Sequence, residues 1–453
     1  MSDIERAYQA LVDKSPTYDL MWQYYEGAQP LRYSTERLEE VFRTLTVHFQ
    51  QNWCACIVDA ALDRINLLRF EVSENEAATQ RLNELWESTE LSLDENDAHT
   101  AALVCGESFI VVWPDTDGQV QAYYHDPRLV HLFYDRENPR LKQFAAKWWV
   151  ADDERRYLTL YYADRLEHYV SHGKSENVSN VAAFEPTDVP VVANPYGIVP
   201  VFHLRRERRA IRSELGNITS LQDAVNKLLA DMMVAAEFGA FRQRYVISQA
   251  DPGRLKNAPN EIWALPSGDG AGQQTSVGEF EQTDLSVYLS AIDKLSTSMA
   301  VITRTPKHYL YAQGGDPSGE ALIAMEAPLN RKVQQYLERF TVAWQQVGTF
   351  LLQLSGMTVD PMSVTAVFEP VETIQPLTES IIRQNSVSAG IPLVTQLSRE
   401  GWTDAELAQM AKEEATARKA QVNSLAAGLL EQQRRFDQGQ TEPGRAPAED
   451  AEQ

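Results

Sequence analysis

The chain has 453 residues, 43% of them hydrophobic, enough for two or three packed domains. Its formal net charge is −23, from 41 basic and 64 acidic side chains. That field argues against tight, non-specific DNA binding through the overall surface but leaves local DNA contact open. Three cysteines, Cys54, Cys56 and Cys105, exclude a disulfide framework and an all-cysteine four-ligand zinc site.

Cys54 and Cys56 sit in an apolar helical pattern and read as buried thiols, which suits a reducing cytoplasm. No N-terminal apolar run precedes a cleavage site, and no stretch approaches a membrane span. In chain order, residues 3–13 and 17–25 read as two helices ending at Gly27. A helix from about Thr35 carries Leu38, Val41, Phe42, Leu45 and Phe49. A further apolar stripe runs through Ile57, Val58, Ala61 and Leu62, and Leu67 to Val72 has strand character. Two helices follow near 76–90 and 94–105.

The period then changes to two. Ser108–Trp113 and Gln119–Tyr124 flank a hairpin signal, Asp115-Thr116-Asp117-Gly118. Strands are predicted at 129–134, 141–150, 156–162, 165–171 and 178–184, with turns at Asn138-Pro139, Asp152-Asp153 and His172-Gly173. A Pro-rich loop, Pro186 to Pro200, closes this antiparallel block. The fold class is therefore α+β, mainly helical with an antiparallel β insertion.

From Ile211 to Phe238 the helical period returns, with Leu215, Ile218, Leu221, Val225, Leu228 and Met232 in register. Residues 239–283 hold two short β pieces, Tyr245-Val246-Ile247 and Ile262-Trp263-Ala264. The helix 284–303 places Leu285, Tyr288, Leu289, Ile292, Leu295, Met299 and Ile302 on one face and Ser286, Ser290, Asp293, Lys294 and Thr297 on the other. After Arg304-Thr305-Pro306 comes an aperiodic loop with Lys307, His308, Tyr309, Tyr311 and Gln313. Asp316 is placed to cap the next helix, with Pro317 at its first position. That helix spans about 50 Å, and Pro328 inside it predicts a kink. A strand at Val364–Phe368, helices at 376–389 and 403–435, and an apolar-poor end read as disordered complete the chain.

No catalytic constellation emerges. Gly173-Lys174-Ser175 matches the end of a phosphate-binding loop, but His168 stands where that loop needs glycine. Gly268, Gly270 and Gly272 lack dinucleotide-loop spacing and any βαβ setting. His125-Asp126-Pro127 reads as a strand-end turn. The dense basic run Arg205-Arg206-x-Arg208-Arg209 suggests a subunit or nucleic-acid contact, with a subunit contact favoured in so acidic a chain.

Several groups follow one another in a definite order: Tyr24-Tyr25-x-Gly27, Phe49-x-x-Asn52-Trp53, Val58-Asp59-x-x-x-x-Arg64, and Asn194-Pro195-Tyr196-Gly197-x-x-Pro200-Val201. Then come helix, small module, helix, Thr305-Pro306, loop, Asp316-Pro317-Ser318-Gly319-Glu320-Ala321-Leu322 and the long helix. This order resembles the portal (head-to-tail connector) proteins of tailed bacteriophages, especially long-tailed phages of Gram-positive hosts, over nearly the whole chain to about residue 435.

The resemblance implies a portal fold. Residues 1–210 would be the wing, 211–238 and 284–304 the two stem helices, and 239–283 the clip. Residues 305–318 would be the tunnel loop, 319–370 the long kinked helix and wing strand, 371–435 the crown, and 436–453 an acidic tail. It implies a ring, usually a dodecamer, at one capsid vertex, assembled in the host cytoplasm and carried in the virion, with neither enzymatic activity nor cofactor. Its partners would be double-stranded DNA, the large terminase subunit, major capsid and scaffolding proteins, and a head-tail adaptor, with no membrane. Arg304, Lys307, His308, Tyr309, Tyr311 and Gln313 would face DNA from the tunnel loop. Leu221, Val225, Leu228, Met232, Leu285, Leu289, Ile292 and Met299 would pack the stem between neighbours. Arg254, Lys256 and Asp269 would face the terminase and adaptor from the clip. A cytoplasmic oligomeric scaffold without DNA passage is the alternative.

Overall fold

The computed structural model describes residues 2–30, 51–115, 117–178, 180–240, 244–247, 276–279, 284–310, 318–371, 376–399, 402 and 407–419. The chain divides into two compact units, Met1–Val371 and Glu372–Gln453. In the first, α1 (Asp3–Glu26) is one helix, not two. It opens on a capping box between Ser2 and Glu5 and closes on Gly27, whose φ of 70° suits glycine. Pro16 lies inside it. Its missing N–H costs one helical bond, and Val12, whose carbonyl would accept it, is exposed. The helix expected from Thr35 lies outside the described residues.

Helix α2 (Trp53–Leu62) is capped by Asn52, whose side chain accepts from the Ala55 amide at 3.2 Å. Cys54 and Cys105 are buried, but Cys56 is exposed, which corrects the reading of a buried pair. The α2 face that buries Cys54, Ile57 and Val58 turns Cys56 outward. Strand β1 (Leu67–Val72), α3 (Glu76–Ser88) and α4 (Leu91–Val104) follow.

Two antiparallel sheets come next. One has the order β3-β2-β9, from β2 (Glu107–Pro114), β3 (Val120–His125) and β9 (Val201–Arg205). Its central strand is buried from Glu107 to Val112, so its side chains do not alternate between core and water. The other is the meander β4 (Val130–Tyr134), β5 (Lys142–Val150), β6 (Arg155–Tyr161), β7 (Arg165–Lys174) and β8 (Phe184–Ala193). Two expectations fail here. His172-Gly173 is not a turn, because β7 runs through it to Lys174. The last strand is not 178–184 but 184–193, inside the supposed Pro-rich loop. Strand β8 is at the sheet edge, where Pro186 and Pro190 can be accommodated without an N–H on the open side.

The expected helix start at 211 also fails. Residues 211–213 are irregular, 214–218 form turns, and α5 spans Thr219–Ala240. Leu215 and Ile218 are fully buried from that turn, so they mimic the helical stripe without being helical. Strands β10 (Arg244–Ile247) and β11 (Ser276–Glu279) pair antiparallel. Residues 262–264 lie outside the described residues. Helix α6 (Leu285–Thr303) is capped by Asp284. Helix α7 (Gly319–Leu354) is capped by Ser318, whose side chain accepts from the Ala321 amide, and not by Asp316. Its 36 residues span about 54 Å.

The main core forms around α7. Phe340, Trp344, Val347 and Leu351 are fully buried in one cluster with Phe70, Leu82 and Trp86. Gly348 lets α7 approach closely, since a Cβ there would stand 3.1 Å from Leu82. Strand β12 (Val364–Phe368) pairs with β1, Phe70 opposite Ala366. From Gly319 to Pro328 no α7 residue is buried among those described, and burial begins at Leu329. Pro328 therefore stands where the helix leaves the core.

The second unit is described by α8 (Pro376–Ser388), α9 (Leu393–Arg399) and helical residues 407–419. Helix α9 was not anticipated. The remainder of the helix expected over 403–435, and the acidic tail, lie outside the described residues.

Candidate functional site at the paired helices and the loop base

Helices α5 and α6 pack against each other. Of the residues expected in their stripes, Val225, Ile292 and Met299 are buried in the chain's own core. Leu221, Leu228, Met232 and Leu285 are half-buried, and Leu289 is exposed. The inward face of α6 is Ile292, Ser296, Met299, Ala300 and Thr303. Opposite it, at the same helical spacing, stand Val287 and Val301, 65% and 74% exposed. Leu289 and Ile302, read as part of the stripe with Ile292 and Met299, are also exposed. Two exposed valines thus stand on the face where the sequence reading had only small and charged residues, with exposed Lys294 seven residues from each. By length and composition α6 is apolar enough to cross a membrane, contrary to the expectation for the chain, yet only 22% of it is buried here.

The end of α6 is built by local rules. The Thr305 amide reaches the Ala300 carbonyl at 3.1 Å, and the Arg304 amide turns back to Val301. This is a Schellman closure, which needs a left-handed residue. Arg304 takes that role at φ 57° with its side chain exposed. Pro306 follows, then a 3-10 turn over Lys307–Tyr309, and Leu310 buries itself.

The loop base is tied down on both sides. Lys307 Nζ is 2.8 Å from Asp293 Oδ1 on α6. Tyr309 donates its hydroxyl hydrogen to Glu326 at 3.1 Å and accepts from Arg64 at 3.0 Å. Arg64 also donates to Asn330 at 3.1 Å. Of the six residues expected to face DNA, Tyr309 and Lys307 are thus engaged within the chain, Arg304 is exposed and His308 is half-buried. Tyr311 and Gln313 lie outside the described residues, as do Arg254, Lys256 and Asp269.

Two of the sequence groups, at Tyr24 and at Asn52-Trp53, reach α5. Tyr24 donates to Asp223 of α5 at 2.9 Å, and Tyr25 donates to Asp59 at 2.9 Å. Asn52 donates to the Tyr25 carbonyl at 2.7 Å, and the Trp53 amide donates to Gln222 of α5 at 3.2 Å. Gly27 is left-handed, and a Cβ there would stand 3.1 Å from Asn52. Asn194 donates to the carbonyls of Tyr162 and Ile198, both at 2.8 Å, and so holds the turn before β9.

A buried ionic node that the sequence reading missed joins these parts. Glu214 accepts from Lys332 at 2.9 Å, from Tyr336 at 2.6 Å and from Arg206 at 2.9 Å. Lys332 also donates to the Thr303 carbonyl at 2.6 Å, at the last turn of α6. Burial by itself would raise the Glu214 carboxyl. Lys332 and Arg206 overcome that and hold it below its ordinary value. Within the basic run, Arg206 thus points into an intrachain node. A lysine flanked by apolar residues at i+1, i+4 and i+5 of a helix was the available signal, since a charge among core positions calls for a buried partner. Among the described residues no group of His, Cys, Asp and Glu is arranged to hold a metal ion.

The family described as "Phage portal protein, SPP1 Gp6-like" matches residues 10–420. A portal protein of Mycobacterium phage D29 is 24% identical over 331 residues, covering 67% of this chain and 65% of that protein. One of Mycobacterium phage L5 is 24% identical over 319 residues, covering 64% of this chain and 62% of that protein. The matched stretch therefore spans less than two thirds of each relative. The match to the family extends over nearly the whole sequence, from within α1 to the helical residues past α9, and the chain belongs to the phage portal protein family.

Proposed function

We propose that this protein assembles into a closed ring, a dodecamer, at one capsid vertex of the virion, and that double-stranded DNA is packaged and ejected through it. It acts as a structural channel; ATP hydrolysis belongs to the large terminase subunit, which docks on the clip at residues 239–283 and gives way to a head-tail adaptor. Major capsid and scaffolding proteins contact the wing. Helices α5 and α6 are the stem, residues 305–318 the tunnel loop, and α7 the beam behind it.

The observation that carries this reading is the exposed pair Val287 and Val301 on the outer face of α6. Ile292 and Met299 satisfy one face within the chain, while Val287 and Val301 remain in water. Burying both against the next copy would contribute about 2–4 kcal/mol per interface. A ring repeats that gain at every contact without leaving an open end. Electron microscopy of negatively stained protein tests it. The pair Val287→Asp and Val301→Asp is expected to abolish rings while circular dichroism and the thermal midpoint of the chain stay unchanged. Unaltered rings would refute this face as the interface.

Ring formation alone would also suit an oligomeric scaffold without DNA passage, and the loop separates the two. Tyr309 and Leu310 anchor the loop base, so shortening should begin at Tyr311. The shortened protein is expected to form rings yet fail to package or retain full-length genomes. Normal packaging would favour the scaffold.

A further inference from the structure

A cleft of 240 Å³ lies between α7 and the strand ends of β4, β5 and β9. Five cationic side chains line it, Arg140, Lys142, Arg205, Arg208 and Arg339, against one carboxylate, Glu338. Among the described residues none of the five is in an ion pair. Lys142 donates to the Val201 carbonyl at 2.8 Å and lies 4.3 Å from the centre of the Phe202 ring. The Arg205 guanidinium stacks 5.0 Å over Tyr134. Arg339 donates to the carbonyl of Arg206. Glu107, which reaches His203 at the back of the cleft, is already engaged by Lys14 at 3.0 Å and Tyr18 at 2.7 Å.

Several buried cations of this chain have carboxylates: Lys14 has Glu107, and Lys332 and Arg206 have Glu214. Lys147, which lies over the Tyr123 and Trp149 rings, is one half-buried cation without a carboxylate among the described residues; the cleft gathers five cations without an ion pair, in a chain of net charge −23. Clustered like charges repel, and burial has already pushed Lys142 down to about 7. A counter-anion relieves both effects. A carboxylate accepts about four hydrogen bonds, fewer than four guanidiniums and an ammonium offer, whereas a phosphate presents more oxygens and more charge.

We propose that this cleft is a binding site for a phosphate-class oxyanion, supplied either as a free phosphate or as the phosphodiester of a nucleic acid. The proposal is independent of the channel reading.

The test is calorimetric titration and thermal unfolding of the full chain in chloride at matched ionic strength. Inorganic phosphate, pyrophosphate and a short DNA duplex are the probes. At least one probe should bind and raise the midpoint. The variant Arg205→Gln with Arg208→Gln should weaken that binding by about tenfold or more. Arg209→Gln, in the same basic run but outside the cleft, should leave it unchanged. A response to pyrophosphate identifies a free phosphate as the source, and one confined to duplex identifies the phosphodiester. If the double variant is unstable, Arg208→Gln alone gives the same reading, because Arg208 is exposed. No response to any probe, an equal response in variant and wild type, or equal binding of citrate would overturn the proposal.

Discussion

Removing either partner of the Glu214–Lys332 pair should have unequal effects, and the inequality follows from the charges left behind. In Glu214→Gln, Lys332 remains, 6% exposed, with the Thr303 carbonyl but no carboxylate. Arg206 keeps its bonds to the Arg212 carbonyl and the Tyr336 hydroxyl, with Glu207 as its remaining carboxylate among the described residues, at 3.8 Å. Leaving a buried charge without its partner costs about 3–5 kcal/mol. In Lys332→Met, Glu214 still accepts from Arg206 and Tyr336 and keeps a cation beside it. That loss is closer to the cost of one charged hydrogen bond, about 1.5–3 kcal/mol. The double variant should cost less than the sum, because the two side chains share one interaction. Urea unfolding followed by tryptophan fluorescence measures all three.

The acid limb gives a second readout of the same pair. The folded Glu214 carboxyl titrates below its ordinary value near 4.5. Its stabilisation is therefore complete above that value and is lost as pH falls through it toward the folded value. Glu214→Gln should lack that component of acid destabilisation. Equal costs for the two single variants, or an unchanged acid limb in Glu214→Gln, would refute this account of the node.

Other substitutions test local structure. Arg304→Gly should be neutral or stabilise by up to about 1 kcal/mol in thermal unfolding, because glycine adopts φ 57° without strain. A clear loss would mean that the guanidinium itself holds the fold. Gly106→Ala should destabilise by more than about 2 kcal/mol, since its φ is 92° and a Cβ would lie 2.6 Å from the Arg212 backbone. Denaturant midpoints check it, and a neutral result would show that the turn before Glu214 can yield. Tyr309→Phe should cost about 1 kcal/mol by removing the hydroxyl between Arg64 and Glu326. An unchanged midpoint would mean that the loop base is held by Lys307 and Leu310 alone.

Most helices and strands were legible in the sequence because their signals are local. Helix α6 begins at Asp284 and stops at Arg304, as its periodicity and the following Thr305-Pro306 indicated. Strand β12 was read with its observed bounds, and the α+β class followed from the change of period at β2. The errors fell where a distant neighbour overrode the local pattern. Leu215 and Ile218 keep helical spacing but are drawn into a turn fixed by the Glu214 amide on the Leu103 carbonyl and by Glu214 on Lys332. Pro186 and Pro190 looked like loop residues until β8 proved to be an edge strand.

By itself, then, the sequence determined most of the elements, the acidic charge and the order of motifs that resembles the portal family. Only the tertiary structure decided that Lys332, Arg206 and Glu214 meet, that Tyr309 is an anchor, and that α6 has one face spent inside the chain and another still open. Periodicity specifies that two faces of a helix differ. Which of them meets the chain's own core depends on contacts between residues far apart in sequence, such as Val225 with Ile292 in one buried cluster, and no local pattern encodes those.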